Sequence, residues 1–326
     1  MKEGRTNIVF NCPSESLYIA SVLKIHAVID QLTDYQINLF HVTGTLTSSA
    51  YQDMATLLGY TGRAPTILPT ISQLAGFCAG LRSPEWMTLL TVPYKKEIKL
   101  KKFVCFNRIH KGHRAYILAK FLESGLVNDS FFSFEGAYPT WTDRLHIYDW
   151  APVIREQFTK HLNIFPLRLN ITAERNNPVR LDADDLQYHL NSYFSLVNET
   201  IFFKDGSNRA QQGAAWPGVF ITEKMARPLL LKHPFIATGS HGYLSALRSL
   251  GFQTFHPFID ESYDSEEDDD KRLDMIVAET ERLCKFTDDQ WIQWQHDVAD
   301  IVEHNFTAIL NSHPHNIPNV LAYFKN

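Results

Sequence analysis

Short apolar runs alternate with stretches of helical periodicity along this chain, and that alternation is what most limits its fold. Residues 7–12 read as a buried strand, residues 17–32 carry apolar side chains at helical spacing, and residues 37–42 read as strand again. The pattern restarts after residue 100. Residues 102–106 predict a strand, and residues 112–124 place Ile117, Leu118, Phe121 and Leu122 on one helical face that stops at Gly125. Strands are then predicted over 131–134, 195–203, 219–221, 234–237 and 252–255, with helices over 183–193, 225–232 and 243–250. Repeated strand-helix-strand units imply an α/β protein with parallel, doubly wound sheets, in which ligands sit beyond the carboxyl ends of the strands.

A chain of 326 residues with 44% hydrophobic and 21% charged residues has enough apolar material for two domains, and is neither fibrous nor disordered. Pro93 followed by a lysine-rich, apolar-poor stretch reads as a linker, giving one domain over 1–95 and a second over 96–285. A third segment, 286–326, holds a long amphipathic helix over 288–310 with Trp291, Val298, Ile301, Val302 and Ile309 on one face, followed by a tail. No apolar run approaches the ~20 residues of a membrane span, and the amino terminus has no signal-type apolar core, so a cytoplasmic protein is expected. Cys12, Cys78, Cys105 and Cys284 are widely spaced and read as free thiols.

The formal charge of −5 conceals a regional asymmetry. Between Lys95 and Lys120 nine cations face the single anion Glu97, a local balance of +8 that suits phosphate. Between Asp260 and Asp270 there are eight anions, followed by Lys271 and Arg272. That run reads as a solvated loop feeding a helix whose N-terminal dipole favours acids, in preference to a metal site. Asp182 and Asp184 have the spacing of a metal-binding DxD, but the apolar pattern after them reads as a capped helix start. His304, His313 and His315 lie in the tail and carry no predicted role. The polar loop over 204–218 is a candidate lid.

Chemistry concentrates in two stretches. Pro228 cannot lie deep in a helix, so the helix containing it begins just before it, with Glu223 and Lys224 at its mouth and Thr222 as cap. Orphan N–H groups beside a lysine favour a diphosphate, and a carboxylate there can accept from sugar hydroxyls. The bare alternative is that Glu223 only complements the helix dipole while Lys224 is solvated. In the second stretch a strand ends at Asn107-Arg108 and a helix begins with Arg114 in its first turn, where a cation opposes the helix dipole unless an anion offsets it. No GxSxG, Walker or full GxGxxG pattern is present, which disfavours serine hydrolases, P-loop enzymes and dinucleotide oxidoreductases.

Phe220-Ile-Thr-Glu-Lys-Met resembles the donor-site motif of the α1,3-fucosyltransferases. Asn107 and Arg114 after a strand, and Asn198-Glu199 at the end of another, are similar to two further features of that family. The likeness covers residues 100–255. It implies a GT-B fold of two Rossmann-like domains facing across a cleft, with Asn107, Arg108, Arg114, Asn198, Glu199, Phe220, Thr222, Glu223 and Lys224 at a UDP- or GDP-sugar donor. The fuller pattern, with residues 247–255 and 260–264, also resembles viral sequences, including phage enzymes that glycosylate hydroxymethylcytosine in DNA, among them arabinosyltransferases. A glycosyltransferase is therefore expected, acting on a hydroxymethylated base in double-stranded DNA or on a glycan or protein, with the donor as co-substrate and no metal. Glu15 and Asp53 are the candidates for the general base. The rival expectation is an inactive module that binds nucleotide or nucleic acid through the basic segment.

Overall fold

The computed structural model describes residues 7–12, 36–41, 56, 66–69, 93–107, 111–134, 151–169, 183–203, 219 and 221–311. Two parallel sheets account for its strands. In the first, β1 (Asn7–Cys12), β2 (Gln36–His41) and β3 (Thr66–Pro69) lie in the order β1-β2-β3, with Asn7 opposite Gln36 and Asn38 opposite Thr66. The second holds β4 (Lys101–Cys105), β5 (Ser130–Phe132), β6 (Ser192–Asn198) and β7 (Phe235–Thr238) in the order β5-β4-β6-β7. The helix predicted over 17–32, the loop over 204–218, and Glu15, Asp53, Arg108 and Phe220 lie outside the described residues.

The second sheet positions the site. From β4 the chain passes through α1 (Gly112–Ser124) to β5 on one side, and later returns through α2 (Ala151–Lys160) and α3 (Ala183–Leu190) to β6 on the other. The order therefore reverses between β4 and β6, and at such a switch point the connections leave in opposite directions and open a crevice beyond the strand ends. Every residue of β6 and β7 is buried, as sheets covered on both faces require. Phe103 on β4 meets Phe121 on α1 edge-on at 5.3 Å and stacks on Phe194 at 5.5 Å. Gly125 ends α1 with φ 77, the left-handed turn that glycine adopts without a Cβ clash.

α4 (Glu223–Leu230) starts two residues earlier than its periodicity predicts, because Thr222 caps it. α5 (Tyr243–Ser249) follows β7, and α6 (Asp269–Cys284) is capped by Asp268, as the acidic run predicts. Two other acids of that run are structural as well. Asp264 accepts from the N–H groups of Leu244 and Ser245 at 2.7 and 2.9 Å, closing the start of α5, and Glu261 accepts from Phe255 N and Thr254 Oγ1. The predicted long C-terminal helix is two helices, α7 (Asp288–Asp297) and α8 (Ala299–Asn311), which meet at the buried Val298. Trp291 of α7 stacks on Tyr193 of β6 at 4.0 Å, so this segment packs against the second sheet.

Three predicted strands are corrected. β6 ends at Asn198 and does not continue to 203, because the carbonyls of Glu199 and Phe202 are taken by the side chains of Arg114 and Arg272. Val219 and Ile221 join no ladder, and Thr222 N donates to a carboxylate instead. Over 252–255, Phe252 N donates to Leu247 O, Gln253 N to Asn305 Oδ1 and Phe255 N to Glu261 Oε1, which leaves no pairing edge. No described helix is long and apolar enough to cross a membrane, and among the described residues no group of three or more His, Cys, Asp or Glu could hold a metal ion.

Candidate functional site

At the switch point, Asn107 just past β4 and Asn198 at the end of β6 face one another. Asn198 Nδ2 donates to Asn107 Oδ1 at 2.9 Å, and both side-chain amides donate to Cys105 Sγ at 3.2 Å. Asn107 is further fixed by its backbone N–H on Ser133 Oγ at 3.1 Å. Burial pushes the Cys105 thiol up to about 12, so it remains a neutral acceptor for the two amides. Asn198 Oδ1 is buried without a hydrogen-bond partner, and a polar oxygen left so is costly unless something else supplies a donor.

The next residue, Glu199, has no exposed surface. Its Oε1 accepts from Thr222 N at 3.0 Å and from the Tyr243 hydroxyl at 2.8 Å, and its Oε2 accepts from Thr222 Oγ1 at 2.6 Å and Thr200 N at 3.3 Å. Four donors on one buried carboxylate offset the cost of burying its charge. Behind it, Arg114 Nη2 donates to the carbonyls of Asn198 and Glu199 at 3.0 and 2.9 Å, and His113 Nε2 donates to Glu199 O at 3.1 Å. Because a carbonyl only accepts, the His113 proton sits on Nε2. Burial, with Arg114 and Lys111 beside it, holds this imidazole well below its usual range and therefore neutral. Burial likewise lowers Arg114 to about 10 while Glu199 opposes the shift, so the guanidinium stays charged at neutral pH.

Thr222 links this buried anchor to the helix mouth. Its hydroxyl accepts from Lys224 N at 3.3 Å and from Lys224 Nζ at 3.1 Å, and the ammonium also reaches Thr200 Oγ1 at 3.3 Å and Glu223 Oε1 at 3.1 Å. Both charged side chains remain partly open to solvent, at 29% for Lys224 and 20% for Glu223. Burial alone would raise the Glu223 carboxyl, yet the adjoining Lys224 charge and hydrogen bond hold it below the ordinary carboxylate value. Lys111, which begins α1 without supplying a side-chain cap, completes the cluster. Burial first, then the charges of Arg114 and Lys224, push its ammonium down to about 7. The starts of α1 and α4 thus bring Lys111, Arg114 and Lys224 within electrostatic reach of each other at the C-terminal edge of the sheet, an arrangement suited to an anion.

Two aromatic residues hold the segment after Glu199. Phe202 lies between the His113 ring, stacked at 5.3 Å, and the Arg272 guanidinium at 4.5 Å, while Arg272 also donates to Phe202 O at 2.8 Å. Tyr243 reaches Glu199 because its ring lies directly on Gly239. A Cβ at that glycine would fall 2.4 Å from Tyr243 Cδ2.

Asn107, Arg114, Asn198, Glu199, Thr222, Glu223 and Lys224 are thus brought into one cluster. Glu199 and Arg114 lie beneath its surface and contact protein groups, while Lys224 and Glu223 reach solvent. Sequence reasoning gave no role to Thr200 or Tyr243 and counted Lys111 only as one charge in a run; no local signal marks a tyrosine that closes on a carboxylate 44 residues away. The basic run itself is divided. Lys101 and Lys102 stand at the start of β4, about 13 Å of extended chain from Cys105, and Lys111 and Arg114 stand beyond its end. Lys101 donates to Asn128 O, Lys102 lies over the rings of Tyr193 and Trp291, and Lys120 pairs with Glu123 at 2.8 Å, so these cations do not form one strip.

No protein-family model and no curated protein matches the chain. Among solved structures, it is similar to an alpha,alpha-trehalose-phosphate synthase (UDP-forming) from Burkholderia vietnamiensis, with TM-score 0.44 and 10% identity over 98% of this chain and 70% of that one. A Candida albicans trehalose-6-phosphate phosphatase N-terminal domain gives 0.41 and 11% over 97% and 70%. An E. coli structure described as trehalose-6-phosphate bound with UDP-2-fluoro glucose gives 0.36 and 12% over 94% and 71%.

Proposed function

We propose that this chain is a GT-B glycosyltransferase that binds the diphosphate of a nucleotide sugar at the mouth of α4 and transfers the sugar to an acceptor hydroxyl. The observation that carries the reading is the Glu199-Thr222-Lys224 relay. A buried carboxylate fixes the cap of α4, and the cap holds the ammonium of Lys224 beside the first N–H groups of that helix. In this reading Lys224 and Lys111 meet the diphosphate, and Arg114 supports them from below by holding the Asn198-Glu199 backbone. Glu223 accepts from donor hydroxyls, and the orphan Asn198 Oδ1 accepts another. Charge building on the departing diphosphate is stabilised by these fixed cations, the task a metal ion performs in other transferases. The resemblance of Phe220 to Met225 to a fucosyltransferase donor motif supports the same assignment.

The acceptor side belongs, in this proposal, to the first 95 residues, with Glu15 or Asp53 as general base. The acceptor is a hydroxyl on a hydroxymethylated base in DNA, or on a glycan or protein. Slow hydrolysis of UDP- or GDP-sugars without acceptor, lost in Lys224→Ala, tests the donor reading. Nucleotide binding with no turnover of any donor would replace it by the inactive binding module. Nucleoside mass spectrometry after incubation with hydroxymethylated DNA tests the finer acceptor, and an unchanged profile with each hydrolysed donor rejects it.

A further inference from the structure

The segment 93–100, which leads into β4 at the opposite end of the second sheet from Lys224, carries apolar side chains in solvent. Among the described residues the exposed large hydrophobics are Ile98, Leu100, Leu162 and Leu190, with Ile98 51% and Leu100 73% open. Lys101 N donates to Asn191 O at 3.0 Å, which brings Leu100 and Leu190 to the same edge of the sheet. Their exposure is built in. Glu97 N donates to Gln295 Oε1 at 3.2 Å and Lys99 N to the Tyr193 hydroxyl at 3.0 Å, so ties at 97, 99 and 101 hold Ile98 and Leu100 between them against the hydrophobic cost of staying in water. The charge beside them has one sign: Lys95 and Lys96 are exposed and make no ion pair among the described residues, while Glu97, the one acid of the segment, pairs with Lys99 at 3.1 Å.

We propose that this segment docks the chain on an anionic membrane surface, with Ile98 and Leu100 entering the headgroup boundary and Lys95 and Lys96 meeting lipid phosphates. Charge and composition together select that partner. Protein interfaces are depleted in lysine and favour aromatic, methionine and arginine anchors, and nucleic acid is held by arginine and by exposed aromatic faces, none of which the segment offers. Aliphatic side chains flanked by lysines are what an anionic lipid surface recognises, and contact of this kind lies on the bilayer without crossing it. Because the segment stands at the far end of the sheet from Lys224, docking there leaves the nucleotide cluster free.

The test is sedimentation of the full chain with vesicles of mixed phosphatidylcholine and phosphatidylglycerol, against phosphatidylcholine alone. Binding to the mixed vesicles is expected, weaker on the neutral ones, falling as salt rises and intact in Lys224→Ala. Lys95→Gln with Lys96→Gln should weaken it about fivefold per lysine. Ile98→Ser with Leu100→Ser should weaken it about tenfold or more, and at these exposed positions both double variants should melt as the parent does. No binding to the mixed vesicles, or binding unaltered by the serine pair, overturns the proposal. So does duplex DNA binding that depends on Lys95 and Lys96 in the absence of vesicle binding, or self-association of the chain abolished by the serine pair, which assign the segment to nucleic acid or to a second copy.

Discussion

Thr222 donates its hydroxyl proton to the buried carboxylate of Glu199 at 2.6 Å while accepting from Lys224 Nζ at 3.1 Å, so one side chain joins the interior of the sheet to the mouth of α4. A charge-assisted bond of this length fixes the rotamer of the cap, and the cap fixes where the lysine lies. Thr222→Val keeps the β-branched shape but leaves Glu199 short of one donor and α4 without its cap. A loss of about 2–3 kcal/mol is expected in denaturant unfolding, larger than the ~1 kcal/mol of a cap alone. A loss no larger than the cap value would show that the Glu199 bond contributes little.

Lys224→Ala separates binding from folding. The side chain is partly open and its bonds to Thr200, Thr222 and Glu223 lie at the rim of the cluster, so the melting temperature without ligand should move little. Stabilisation by UDP or GDP should fall, with an apparent Kd about tenfold or more weaker, read from the ligand-concentration dependence of the melting point. Equal stabilisation of both proteins would remove Lys224 from the nucleotide site.

Gly239→Ala places a methyl group against the Tyr243 ring at a separation real contacts do not reach, so the ring must shift and withdraw its hydroxyl from Glu199. A cost of about 2–3 kcal/mol is expected from overpacking and the lost bond. In a Tyr243→Leu background the same change should cost at least ~1 kcal/mol less, since the two residues couple through contact. Strict additivity in this double-mutant cycle would count against the mechanism.

Lys111 gives the site a pH dependence whose sign is fixed. Its ammonium is lowered to about 7 in the folded chain by burial, Arg114 and Lys224, and the neighbouring His113 is held neutral. Between that value and its ordinary one the unfolded chain binds the extra proton, so this residue makes stability rise with pH above about 7, and its cost is fully present below. Anion binding runs the other way, because a diphosphate favours the protonated lysine. Calorimetry should show proton uptake with UDP at pH 8 and affinity falling from pH 7 to 9, both absent in Lys111→Met. A flat profile in the parent chain would place Lys111 outside the site.

The helix at Thr222-Glu223-Lys224 was legible because capping, dipole and proline signals are local, acting within one turn. The strand at 102–106 and the helix after it were legible for the same reason: a buried face repeats with a short period. Two of the errors share one cause. Residues 199–203 and 252–255 look like strands by composition, but their backbone groups are claimed by the side chains of Arg114, Arg272, Glu261 and Asn305, all but Glu261 remote in sequence. Composition reports how apolar a segment is, and cannot report which distant donor or acceptor takes its backbone.

The amino-acid order by itself fixed the alternation of strands and helices, hence parallel sheets, since both follow from short-range periodicity and the handed geometry of crossovers. Only the tertiary structure decided the β5-β4-β6-β7 order that sets Asn107 against Asn198. It also split one basic run between two ends of a sheet and buried Glu199 under Thr222 and Tyr243. Which strands become neighbours depends on packing summed over the whole core, and no window of sequence contains that sum.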